Sequence, residues 1–209
     1  MIIKSLHVNN FRSIENETLQ CDGLTMLLGT NGAGRSSFLK ALDIFYSTRM
    51  MITANDYYAR DTSRNITITV TFKDLTDNEK KLFSKYIENG ELVVEKEISW
   101  SQDKVVQRYY GKSFLNPDFN ETRTALDNST PVGELKNIYE SVRSKGKYND
   151  LPKWTKKGNV QQALEEWENK HPSKCTIQRD NGQFFGFKEV GEAHLERYTK
   201  FLLIPAVRD

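Results

Sequence analysis

Residues 24–48 read LTMLLGTNGAGRSSFLKALDIFYST. The apolar run Leu24–Leu28 is short and bounded by Gly23 and Gly29, so it is predicted to be a buried central strand and not a helix. From Arg35 onward the pattern changes. Phe38, Leu42 and Phe45 recur at intervals of four and three, which lines one face of a helix beginning near Arg35. Between strand and helix, Gly29-Thr30-Asn31-Gly32-Ala33-Gly34-Arg35-Ser36-Ser37 fits G-x-x-x-x-G-[K/R]-[S/T]. Glycines at these positions let the backbone wrap a phosphate with its N–H groups pointing inward, and the helix N-terminus adds partial positive charge.

This combination of apolar strand, glycine loop, tandem serines and amphipathic helix predicts an α/β fold of the P-loop NTPase class that binds ATP with Mg²⁺. The candidate nucleotide-binding residues are Asn31, Gly32, Ala33, Gly34, Arg35, Ser36 and Ser37. In the pattern, Ser36 places its hydroxyl on Mg²⁺, Ser37 lies close to the α-phosphate, and residue 35 supplies a cation to the β- and γ-phosphates. That cation is Arg35 where the pattern usually has Lys. A planar guanidinium on a longer stem attracts phosphate but fills a loop shaped for a compact ammonium differently. Nucleotide binding and hydrolysis are therefore separate expectations, with binding the firmer one.

Working outward, residues 2–8 and Thr18–Cys21 read as strands on either side of the NNFRSIE segment, with a turn at Asp22-Gly23. Asn65–Phe72 alternates strictly, with Ile66, Ile68, Val70 and Phe72 on one face. Thr76 and Glu79 form a capping box that opens a helix predicted over Asp77–Ile87 and stopped by Asn89-Gly90. Leu92–Trp100 and Val105–Tyr110 read as a hairpin across Gln102–Lys104. Asp180-Asn181-Gly182 is the predicted turn between Thr176–Arg179 and Gln183–Phe187. A helix over Glu192–Lys200 and an apolar strand over Phe201–Val207 follow.

Two stretches carry a resemblance. Residues 3–14, with the form I-x-x-L-H-V-x-N-F-R-S-I, and the loop G-x-N-G-A-G-[K/R]-S-S-F-L-x-A-L resemble the head domains of the RecF/SMC-like branch of ABC ATPases. The resemblance implies antiparallel strands beside the P-loop, and it implies that Arg12 of the N-F-R-S segment approaches the nucleotide. Phe45-Tyr46, the segment reaching Gly90-Glu91-Leu92, Trp100 and the closing FLLIPAVRD are similar to OLD-family proteins (overcoming lysogenization defect), the group that includes the Gabija nuclease-ATPase. This implies an ATP-dependent, DNA-processing protein that forms homodimers or larger homo-oligomers, with ATP promoting dimerisation or gating a nuclease. No strand ending in Asp-Glu, no clear ABC signature and no acidic Toprim-like cluster is visible in the chain. The sequence is therefore expected to be the N-terminal part of a longer protein. A RecF/SMC-like repair or defence ATPase without a nuclease, and a nucleotide-binding or assembly module that does not hydrolyse ATP, remain open.

The expected organisation is an ATPase lobe over 1–111, a polar, partly helical insertion over 112–173, and a return to the ATPase lobe over 174–209. Within the insertion, Val160, Leu164 and Trp167 share one face of the better helix, Val160–Lys170. The stretch 143–157 (RSKGKYNDLPKWTKK) gathers Arg143 and five lysines around Tyr148 and Trp154. It reads either as a solvated charged loop or as a surface that holds phosphates and stacks bases. The net charge of +2 over 209 residues does not by itself indicate nucleic acid. There is no secretory leader pattern and no run of about 20 apolar residues, so a cytoplasmic protein is expected, with Cys21 and Cys175 as reduced thiols.

Overall fold

The computed structural model describes residues 1–30, 32–48, 50–101, 104–181, 184 and 195–204. The chain is α/β with a mostly antiparallel sheet and divides into two compact units, residues 1–112 with 179–209, and residues 113–178.

The sheet is built from β1 (Ile2–Phe11), β2 (Ile14–Gln20), β3 (Ile66–Lys73), β4 (Ile87–Glu88), β5 (Glu91–Ser101), β6 (Lys104–Leu115) and β7 (Thr176–Asn181). Its order is β2-β1-β3-β5-β6-β7, with β4 beside β5. Period-two alternation sets the register. Ile66, Ile68, Val70 and Phe72 are fully buried as expected, and Val70 pairs with Leu6 on one side and Val94 on the other. A one-residue slip would turn this whole set out to solvent, so the apolar face fixes the pairing. Helix α1 (Arg35–Tyr46) covers that face. Ala41, Ile44 and Phe45 are its buried apolar residues, while Phe38 and Leu42 are only half-buried against the core. The buried stripe is thus rotated from the predicted Phe38–Leu42–Phe45 line.

Two sequence expectations in this unit are corrected. Leu24–Leu28 is not a buried strand: it has no regular structure, and Leu24, Met26 and Leu28 are 87%, 74% and 83% exposed. A buried strand needs neighbours to take its N–H and C=O groups. No strand among the described residues lies beside this run, because the sheet's order has no place for it. The helix at Asp77 has its capping box, with Thr76 and Glu79 bonding reciprocally, but α2 (Asp77–Leu82) ends before Ile87. Ile87 instead pairs with Leu92, and Asn89 and Gly90, both at positive φ, form the tight turn between β4 and β5. Two adjacent positive-φ residues suit a two-residue hairpin turn, which is why Asn-Gly serves here as a hairpin and not as a helix stop.

Residues 113–178 form a unit with its own core, which the polar composition of the stretch did not suggest. Helices α3 (Asn120–Asp127), α4 (Val132–Arg143) and α5 (Val160–Lys170) enclose Phe119, Leu135, Tyr139, Leu164 and Trp167, each 1% exposed or less. Phe119, Tyr148 and Trp167 meet edge to face, with ring centres 5.1–5.2 Å apart. Inside this unit Glu168 accepts from the Asn116 N–H and pairs with Arg123 at 2.6 Å.

After β7, which runs straight through Asp180-Asn181, the predicted hairpin partner 183–187 lies outside the described residues apart from Phe184. The last helix, α6 (Leu195–Tyr198), is seen within the predicted 192–200. The predicted strand 201–207 has no regular structure over 201–204; its remaining residues lie outside the described set. Phe201 stacks on Tyr46 of α1, with ring centres 5.8 Å apart.

Candidate nucleotide site

The glycine loop leads into α1 without a side-chain cap. Gly32 (φ 89°) and Gly34 (φ 83°) are left-handed, a backbone state that glycine enters without a Cβ penalty. The Ala33 N–H donates to the Thr30 carbonyl at 3.2 Å, closing the loop on itself. Gly34 is the N-cap of α1, so the cap residue itself offers no side-chain acceptor to the first turn, and that turn contains no Asp or Glu. Helices usually recruit Ser, Thr, Asp or Asn there; a glycine in that place leaves the helix's partial positive charge without a capping side chain, which favours an anion. Asn31 lies outside the described residues. Arg35 is half-buried and Ser36 exposed, both in the first turn of the helix.

Ser37 is held from the turn between β1 and β2. It is buried, and its Oγ lies 2.9 Å from the Oγ of Ser13. Ser13 also packs on Gly34: a Cβ built there would come within 3.5 Å of the Ser13 hydroxyl and of the Ile14 side chain. The turn between β1 and β2 therefore seats the loop and fixes the first turn of α1.

Arg12, next to Ser13, is held at φ 51°. A non-glycine residue in this region is uncommon and persists only where its surroundings determine it. Here the determinant is Asp56. The Arg12 N–H donates to the Asp56 carbonyl at 2.9 Å, and its guanidinium donates through Nε at 3.0 Å and pairs through Nη2 at 2.9 Å with Oδ1 of the same residue. Asp56 in turn accepts from the Thr53 N–H at 3.0 Å, closing a capping box over a single 3₁₀ turn. Burial alone raises the Asp56 carboxyl, but the Thr53 N–H and the Arg12 guanidinium outweigh it and hold the group below the usual carboxylate range. Beside it, Phe11 bridges to Tyr57, whose phenol is pushed up to about 12 by burial and by the charge of Asp56.

The other end of α1 is held from the sheet. Lys96 on β5 is fully buried and donates Nζ to the Ile44 carbonyl at 2.7 Å and to the Ser47 carbonyl. The Tyr109 hydroxyl donates to the Phe45 carbonyl at 2.6 Å, and the Lys96 amine lies 5.0 Å from the Tyr109 ring. Cations and donors at a helix C-terminus complement its partial negative charge. Desolvation pushes the Lys96 amine down to about 7.

The whole chain, residues 1–209, matches the family model for the AAA ATPase domain. The chain belongs to that family. The P-loop class expected from the loop and helix therefore stands, and with it a nucleotide-binding domain. The likeness to OLD proteins is also found: over 76 residues the chain is 38% identical to an OLD nuclease of Thermus scotoductus, a match covering 34% of this chain and 14% of that protein. The chain thus spans a small fraction of the relative it matches.

Of the residues singled out from the sequence, the structure brings Gly32, Ala33, Gly34, Arg35, Ser36 and Ser37 together at the N-terminus of α1. Arg12 is drawn beside them by Ser13 and is engaged by Asp56. Ser13, Asp56 and Lys96 were not singled out. Thr53-Ala54-Asn55-Asp56 has the capping-box spacing and Lys96 falls in the inward register of Val94 and Ile98, so both carried a legible signal. The pairing of Ser13 with Ser37 carried none. Among the described residues no group of three or more His, Cys, Asp or Glu side chains is arranged to hold a metal ion, and no helix is long and apolar enough to cross a membrane. Cys21 and Cys175 are unpaired thiols, both half-buried.

Proposed function

We propose that this ATPase domain is the ATP-binding part of a DNA-processing protein related to OLD nucleases, built as an ABC-type head of the RecF/SMC branch. The observation that carries the reading is the uncapped, acid-free N-terminus of α1 behind Gly32 and Gly34, seated by Ser13. In this reading the backbone N–H groups of Gly32–Ser37 hold the β-phosphate, Arg35 approaches the β- and γ-phosphates, and the exposed Ser36 hydroxyl faces Mg²⁺. Arg12 is poised beside the loop as a second cation, already oriented by Asp56. Bound ATP would supply the polyphosphate, and the chain's own part is to bind and orient it. DNA as a partner, and dimerisation or nuclease gating by ATP, follow from the resemblance to OLD proteins and extend to the whole protein.

Arg35 favours a second reading, a module that binds nucleotide with little hydrolysis. One pair of measurements separates the two. Calorimetry of the chain with Mg-ATP is expected to show weak, Mg²⁺-dependent binding that Ser36→Ala reduces, while phosphate release by the same chain stays near background. The chain carries no Asp-Glu pair at a strand end to orient water, and losing such positioning costs orders of magnitude in rate. Absence of any nucleotide binding would remove both readings, and brisk turnover lost in Ser36→Ala would remove the second.

A further inference from the structure

We propose that the segment Lys145–Lys156 of the unit 113–178 is a docking surface for the phosphate backbone of duplex nucleic acid, reading charge and not bases. The inference rests on the DNA-processing reading and assigns it a surface. The structure sorts the cations of 143–157 into two kinds. Arg143 is spent on Glu140 at 2.8 Å and on the Leu151 carbonyl at 3.0 Å, and Lys157 donates to the Thr130 carbonyl at 2.8 Å. Lys145, Lys147, Lys153 and Lys156 are exposed, and among the described residues none of their ammonium groups has an ion-pair or hydrogen-bond partner. The only carboxylate of the segment, Asp150, accepts from Trp167 Nε1 at 2.8 Å and faces His171 Nε2 at 3.2 Å.

The backbone between these lysines is anchored. Tyr148 is 4% exposed with its hydroxyl on Asp118, Leu151 is 1% exposed, and the Pro152 carbonyl accepts from the Tyr139 hydroxyl at 2.6 Å. Trp154 packs edge-on against Tyr139, ring centres 6.1 Å apart. Anchors and lysines alternate along the segment, so four cations project from a backbone that is already ordered, which lowers the entropic cost of using them. The same anchoring removes the base-stacking role open to Tyr148 from the sequence, because a stacking platform needs an exposed ring, and leaves Trp154 only half-exposed.

What remains fits a polyelectrolyte better than other anionic partners. A membrane surface calls for an apolar wedge beside the cations, and a protein interface for a buried aromatic or aliphatic anchor at its centre. Residues 143–157 expose no large hydrophobic side chain. Isolated exposed ion pairs contribute little, whereas each Lys placed on a nucleic-acid phosphate releases condensed counterion and the contributions add.

The test measures the affinity of the chain for two unrelated DNA duplexes as a function of salt. The wild type is compared with a quadruple variant carrying Lys145→Ala, Lys147→Ala, Lys153→Ala and Lys156→Ala, and with the same four positions changed to Arg. The Ala variant is expected to flatten the log–log salt slope by about 0.9 for each phosphate no longer neutralised, up to roughly 3.6, equally for both duplexes, and the Arg variant to keep the wild-type slope. All four side chains are exposed, so an unchanged melting temperature is expected and shows that folding is intact. A wild type that binds DNA with a slope the Ala variant does not change overturns this surface and leaves DNA as a partner standing. A wild type that binds neither duplex at low salt overturns both. Binding to phosphatidylserine vesicles that the four substitutions abolish, without any DNA binding, assigns the surface to a membrane and overturns the proposal.

Discussion

The hydroxyl of Ser13 lies 2.9 Å from that of Ser37, a link across 24 residues of sequence that ties the turn after β1 to the first turn of the P-loop helix. Ser37 is buried, so this hydroxyl pair sits where an unmet partner is costly. Ser13→Ala is expected to leave the domain folded and to weaken Mg-ATP binding by about two- to tenfold, the range set by removing one buried hydrogen bond. Ser13→Thr, which keeps the hydroxyl, is expected to retain most of the affinity. Calorimetry on the three proteins checks this, and equal affinities for wild type and Ser13→Ala would show that the pair only packs.

Asp56 positions Arg12 through its carbonyl and its carboxylate together. In Asp56→Asn the backbone hydrogen bond survives and the charge is removed, so the left-handed turn stays closed while the guanidinium is released. The expected outcome is a changed nucleotide affinity with a melting temperature that drops only modestly. The pH dependence has a definite sign. A carboxyl held below its unfolded value contributes stability that is fully present above about pH 4 and is lost as pH falls through its lower folded value. Acid titration of unfolding should therefore show a wild-type advantage over Asp56→Asn that shrinks as pH falls below about 4 and is gone below the lower folded value. An advantage that persists in strong acid would assign the effect to packing.

How much of this is legible depends on the range of the interaction. The alternation of Ile66, Ile68, Val70 and Phe72 and the Thr76/Glu79 box are local patterns, and both read correctly because a strand's face and a helix's first turn are determined within a few residues. Leu24–Leu28 misleads for the same reason. Its apolar run has the composition of a buried strand, but burial depends on neighbours that the local sequence does not encode, and the described sheet supplies none. In the glycine loop the spacing marks the proposed phosphate cradle, whereas its seating by Ser13 depends on a strand turn folding back onto a helix. The aromatics of 143–157 are legible as residues and not as environments: both look available, but Tyr148 is buried in the core of 113–178 and Trp154 packs half-buried against it.

That core is itself testable. Trp167 is 1% exposed at the meeting point of Phe119, Tyr148 and His171, and it donates its indole N–H to Asp150. Trp167→Ala opens a cavity and removes one donor from the exposed Asp150 carboxylate, and is expected to cost about 3–5 kcal/mol, nearly all of it from the cavity. If 113–178 folds as a cooperative unit, hydrogen exchange should speed up throughout α3, α4 and α5 in this variant. Fast exchange throughout that segment in the wild type would contradict a packed core.

At residue 35, Arg stands where the phosphate-loop pattern has Lys. Arg35→Lys restores a compact ammonium and is expected to tighten Mg-ATP binding, because the main-chain cradle at Gly32–Ser37 is untouched by the change. Unchanged or weaker binding in Arg35→Lys would mean that the loop is adapted to the guanidinium.

The last prediction concerns Lys96, which caps the far end of the same helix. Its amine is fully buried and desolvation lowers it to about 7, yet its two acceptors, the Ile44 and Ser47 carbonyls, need only two N–H donors. A neutral amine still has two, so the cap survives deprotonation. In the unfolded chain the same amine stays protonated up to about pH 10.4. Between these values the unfolded state binds about one proton more than the folded state, so this group makes stability rise with pH across that window. Below about pH 7 both states are protonated and the group adds no slope. Lys96→Met keeps the apolar stem but removes the donors, leaving two buried carbonyls at the end of α1 without them. The variant is expected to be less stable than wild type, and the gap between them should widen from about pH 7 to about pH 10 in denaturant melts at each pH. Taking the difference cancels Tyr57, Tyr139 and Tyr148, whose raised values act above about pH 10 in both proteins. Because α1 carries the phosphate loop at its other end, Mg-ATP affinity should fall when this cap is removed. A gap that stays constant with pH would mean that Lys96 remains an ammonium throughout, held by its carbonyls against the cost of burial.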